Sequence, residues 1–134
     1  MTAAAPAPRS RLDSDDPLAA SRFRALDPAH RRRLACGMVR EAMGEVPVSL
    51  PPNVVGLLGT AGVATAAQLA DLDRRAASTG RPSGETDHRR ARIVAAARYA
   101  LSPQPRACEE ALHEVLHARD SLAGALDELR RRLD

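Results

Sequence analysis

Five consecutive residues could do chemistry: His113-Glu114-Val115-Leu116-His117, an H-E-x-x-H string. On a helix, residues four apart lie on one face. The neutral imidazoles of His113 and His117 could then close on one Zn²⁺, with Glu114 as general base for a metal-bound water. A catalytic zinc also needs a third protein ligand and an open fourth position. Candidates for that third ligand are Asp120, Glu110 and His88. Asp120, Asp127, Glu128 and Asp134 all read as part of one helix continuing past His117.

This stretch resembles the zincin metallopeptidases over those five residues. The apolar Val115 and Leu116 match that pattern, whereas Glu110 stands where Val or Thr is usual and Arg119 where an apolar residue is usual. The resemblance implies zinc held by His113 and His117, catalysis by Glu114, and a third ligand from a downstream segment. It also implies a β-sheet edge for substrate, but no part of the chain reads as a strand. Asp120 occupies the place where the extended form of the motif has Gly.

The residues around the motif read differently. Cys108, Leu112, Val115, Leu122, Leu126, Leu129 and Leu133 form one heptad-like stripe, flanked by Ala111 and Leu116. At 100° per residue, Glu109, Glu110, His113, His117, Asp120 and Glu128 fall opposite it. The expectation is that both histidines sit on an ordinary solvated face. The seam Leu122, Leu126, Leu129 and Leu133 is then the candidate interface, towards a protein partner or as a homodimer.

Composition narrows the classes. The length, 134 residues, suits one domain. One Phe, one Tyr and no Trp leave an aliphatic core of Leu, Val, Ala and Met. That argues against aromatic stacking platforms for single-stranded nucleic acid or sugars. All 20 Lys/Arg residues are Arg, and the formal net charge is +3. Arg31-Arg32-Arg33 and Arg89-Arg90-Ala91-Arg92 could touch phosphate, but such runs on amphipathic helices are usually solvated faces. No secretory signal precedes Cys36 and Cys108, so they read as small buried hydrophobes in a reducing cytoplasm. No apolar run of membrane-spanning length occurs.

Along the chain, residues 1–20 lack periodicity and read as a disordered arm. Residues 21–134 read as a single helical domain. Asp27-Pro28 is a helix start for a helix to about residue 43, in which Gly37 marks a close helix contact. The Pro-rich segment 46–52 is an extended connector. Asn53 opens a helix to about residue 61. After a turn at 62–64, the capping box Thr65-Ala66-Ala67-Gln68 opens another to about residue 77. Segment 54–77 looks a little like half of a helix-hairpin-helix DNA-binding element, with a plain connection inside a bundle as the favoured alternative. A loop over 78–84 precedes a helix to about residue 102, Pro103-Gln104-Pro105 breaks it, and one last helix runs from residue 106 to the end.

From Ala91 to Leu129 the pattern is Ala-Arg, then Ala-Arg-Tyr-Ala-Leu-Ser, a Pro-containing break, and Ala-Arg-Asp-Ser-Leu-Ala-Gly-Ala-Leu-Asp. It resembles small helical actinomycete proteins, some of them associated with natural-product biosynthesis. Leu50-Pro51-Pro52 followed by two helices is compatible with them, and the resemblance covers about a third of the chain. It implies a helical fold and an accessory role, with no catalytic residues to carry over.

The expectation is therefore an all-α bundle of four or five helices with a disordered N-terminal arm. It would be a cytoplasmic accessory or regulatory protein acting through protein–protein contact, without cofactor. The rival is a zinc hydrolase using His113, Glu114 and His117. A third reading is DNA binding through residues 54–77.

Overall fold

The computed structural model describes residues 10–79, 85–104 and 106–134. Eight helices and no strand occur among them. The all-α expectation holds, but the helix count exceeds four or five for two identifiable reasons.

The first reason lies at the N-terminus. Residues 1–9 of the expected arm fall outside the described residues, but residues 11–15 and 17–20 belong to helices α1 (Arg11–Asp15) and α2 (Pro17–Arg24), with Asp16 between them. Two start signals explain them. The Ser10 amide donates to Asp13 at 3.0 Å in a capping box. Asp16 accepts from the Ala19 amide at 3.0 Å, and Pro17 supplies the preset φ of a first helical residue. That amide, then Arg130, holds the Asp16 carboxyl below the usual carboxylate range. Leu12 and Phe23 are fully buried, which secures both helices to the core.

The second reason lies at the C-terminus. The expected single helix is two, α7 (Ala107–Ala118) and α8 (Leu122–Leu133). Arg119 is extended, and Ser121 caps α8 by accepting from Gly124 N–H at 3.1 Å. Glu45 fixes this corner: it accepts from the Asp120 amide at 2.6 Å and from Arg119 Nε at 2.8 Å. Arg89 Nε donates to the Ala118 carbonyl at 2.7 Å, satisfying an orphan acceptor of the α7 terminus. The heptad pattern is blind to such a corner, because the stripe resumes in α8 after three residues.

The middle of the chain follows the expected order: α3 (Pro28–Glu45), α4 (Pro52–Thr60), α5 (Ala66–Thr79) and α6 (Glu85–Ala100). The Asp27 cap and the Thr65–Gln68 capping box are both formed. Most of the expected loop at 78–84 lies outside the described residues. Gly37 does mark a close approach: a Cβ there would meet an Arg132 guanidinium nitrogen from α8 at 3.2 Å. The turn after α4 uses Ala61 rather than Gly62 as its left-handed residue, with φ 54°.

α7 is the hub. It packs on α6, α3, α1 and α8, while α5 packs on α6, α4 on α3, and α2 on α8. Cys36 and Cys108 are buried free thiols, as expected. Burial pushes the Cys36 thiol up to about 11 and raises Cys108, so neither is a ready nucleophile. No helix among the described residues is long and apolar enough to cross a membrane.

The expected α8 seam is largely filled within the chain. Leu129 is fully buried, and Leu126 and Leu133 pack partly against the core, while Leu122 is exposed. Leu129→Ala should therefore lower unfolding free energy by about 2–5 kcal/mol in urea titration. Leu122→Ser should change it by less than about 0.5 kcal/mol.

Glu45 yields a pH prediction. The Asp120 amide, then Arg119 and Arg89, hold its carboxyl below the usual range. A group with a depressed folded pKa stabilises the fold fully above its unfolded value, about 4.3, and loses that contribution as pH falls through the lower folded value. Glu45→Gln should thus be less stable than wild type by about 1–2 kcal/mol at neutral pH. The gap should close below about pH 4 in parallel urea titrations.

Candidate metal centre

Besides the buried Cys108 thiol, α7 carries five ionisable side chains, at positions 109, 110, 113, 114 and 117. At 100° per residue they span about 140° of its surface. This stripe is not the solvated face that the sequence pattern suggests. α1 lies across it, and Glu109 and Glu114 are buried.

Each group in the stripe has a partner from the covering segment. Glu109 accepts from Ser10 Oγ at 2.8 Å and pairs with Arg24 at 2.5 Å. Glu110 takes the Arg11 Nε at 2.7 Å. Asp13 and Glu109 together raise the Arg24 pKa, so that guanidinium is permanently charged between two carboxylates.

The two histidines share one carboxylate. His113 Nδ1 lies 2.6 Å from Asp15 Oδ2, and His117 Nε2 lies 2.7 Å from Asp15 Oδ1. As hydrogen bonds these need the Nδ1–H tautomer of His113 and the Nε2–H tautomer of His117, each donating to one oxygen. The imidazole centroids are 4.5 Å apart. The Asp15 side chain is 8 % exposed, His113 14 % and His117 30 %, so the cluster opens to solvent on the His117 side.

The three donors lie within 4.8 Å of one another, the one such set of three His, Cys or carboxylate groups found among the described residues. Zinc bonds of about 2.0–2.2 Å put tetrahedral ligands about 3.3 Å apart. Here each imidazole meets a different oxygen of Asp15, so accepting an ion would require these three side chains to shift until the donors stand at that spacing.

The structure thus brings together His113 and His117 and supplies a different third member from those expected. Glu110 is held by Arg11, and Asp120 is paired with Arg89. His88 lines a groove of about 430 Å³ with Arg11, Arg92 and Glu114. Asp15 was hidden because nothing local links it to a residue 98 positions away. The available signal was its setting between two helix-start patterns, Ser10-x-x-Asp13 and Asp16-Pro17, which argue that this stretch is ordered.

Glu114 does not join the cluster. Arg11 binds its Oε1 at 2.9 Å, and Arg92 of α6 approaches its Oε2 at 3.3 Å. Both carboxylate oxygens are therefore engaged by cations. A general base needs an oxygen within reach of the water it deprotonates.

Of the two arginine clusters, Arg32, Arg89 and Arg92 are engaged by the chain itself. Arg32 donates to the Ala100 and Ser102 carbonyls at the end of α6, Arg89 holds the α7–α8 corner, and Arg92 binds Glu114. The segment expected to resemble a DNA-binding element forms α4 and α5, joined by a turn whose Ala64 amide donates to the Leu101 carbonyl at 2.9 Å. Compared with protein families, curated proteins and solved structures, the chain finds no match.

Glu114→Gln should remove the charge that offsets Arg11 and Arg92. Both arginines are more than 40 % exposed, so the loss should be about 1–3 kcal/mol in urea titration. The substitution should leave zinc stoichiometry in equilibrium dialysis equal to that of wild type.

Proposed function

We propose that this chain is a non-hydrolytic helical accessory protein whose binding centre takes a divalent transition-metal ion at Asp15, His113 and His117. The observation that carries this reading is the convergence of two imidazole nitrogens and one carboxylate from segments about a hundred residues apart. Two imidazoles and a carboxylate suit zinc and its neighbours in the first transition row better than calcium or magnesium. The exposed side at His117 leaves room for water as the remaining ligand.

Glu114 weighs against the hydrolase reading, since its carboxylate is tied to Arg11 and Arg92 instead of facing the cluster. A metal here fastens the N-terminal segment to α7. The activity of the protein is binding, and its partner is another protein or a second copy. Leu122, 40 % exposed at the start of α8, is the part of the sequence-derived seam that remains most open for that contact.

The test is zinc content of untagged protein by elemental mass spectrometry, followed by titration calorimetry. The reading expects one zinc per chain. Asp15→Asn, His113→Ala and His117→Ala should each weaken binding at least about 100-fold. Failure of the wild-type chain to take up stoichiometric zinc would reduce the cluster to a hydrogen-bonded clamp and sink the proposal.

A further inference from the structure

We infer that metal occupancy governs the docking of the N-terminal segment, residues 10–24, onto α7 and α8; this rests on the metal reading above and adds the regulation of that site. The asymmetry of the donor set points to it. His113 and His117 stand on α7, whose opposite face is locked by Leu112, Val115 and Leu116, all fully buried. Asp15 stands at the end of a five-residue helix. Such a helix is far below the length that is stable alone, so its order comes from what it docks on.

The segment is built as a strap. α1 lies on α7, α2 lies on α8, and the chain enters α3 through residues 25–27. Leu12 and Phe23 are its apolar anchors. Ala19 and Ala20 are buried beside them, and the remaining attachment is polar: Arg11 to Glu110 and Glu114, Arg24 to Glu109, Arg22 to Asp134, and Asp16 to Arg130. The exposed pairs Arg22–Asp134 and Arg11–Glu110 contribute little each and weaken with salt, whereas Arg24–Glu109 is largely buried. Two short helices attached by a few apolar side chains and ion pairs form a dock whose equilibrium a ligand can move.

A metal bridging Asp15 to His113 and His117 crosslinks the strap to the hub. Any ion that binds only when all three donors are assembled adds its binding free energy to docking. The coupling runs both ways: whatever lowers the docked fraction lowers the apparent metal affinity in proportion to that fraction. With the metal removed, the docked fraction falls and the polar stripe of α7 is open to solvent more of the time.

Hydrogen exchange followed by mass spectrometry on the full chain, with zinc chloride or with EDTA, tests this. Amides of residues 11–24 should exchange at least tenfold more slowly with zinc, with α6 amides unchanged as an internal control. Asp15→Asn should abolish the difference. Leu12→Ala touches no donor, yet should weaken zinc binding at least tenfold by calorimetry, because it weakens docking. If one zinc binds per chain and exchange at 11–24 is the same in EDTA, the strap is overturned while the metal site stands. Unchanged zinc affinity in Leu12→Ala would overturn it equally. If zinc does not bind at all, both readings fall together.

Discussion

The fold depends on how α7 is wrapped. This twelve-residue helix is packed by neighbours on four sides and still carries five glutamate and histidine side chains. Charge cannot be taken from water without a partner at a cost that a small domain can bear. Every neighbour of the polar stripe is therefore under the same demand, to bring a complementary group. The N-terminal segment meets most of it with Ser10, Arg11, Asp15 and Arg24, and α6 contributes Arg92.

That demand accounts for the order of the first helices. Taken alone, residues 11–24 have little apolar content and two very short helices. Laid on α7 and α8, they bury Leu12 and Phe23 and pair the stripe group by group. The carboxylate that meets the two histidines is one member of this pairing scheme. Its two oxygens are divided between two imidazoles, which separates it from the arginine-paired carboxylates on either side.

The H-E-x-x-H string shows how the same five letters can be put to different use. In the hydrolytic arrangement the glutamate must face the metal-bound water. Here the stripe is divided along its width. The histidines meet Asp15, and Glu114, displaced towards α6, meets Arg11 and Arg92. The spacing is what a helix needs to bind a metal, whereas catalysis depends on what stands opposite the glutamate.

Much of the architecture was legible in the residues themselves. Helical periodicity, the Asp27-Pro28 start, the Thr65–Gln68 capping box and the proline breaks are local signals, and local hydrogen bonds realise them. The pairing of His113 with His117 was equally legible, since helix geometry alone places residues four apart together. Three things were settled only in tertiary structure. Glu45, 75 positions from Asp120, fixes a corner within what reads as one helix. The polar face of α7 is covered, because an amphipathic pattern states which side is polar but not what lies against it. The carboxylate that meets both histidines is that of Asp15, because a group 98 residues from its histidine finds it only when the chain folds back on itself. Periodicity is a property of one helix; which charge meets which is a property of their packing.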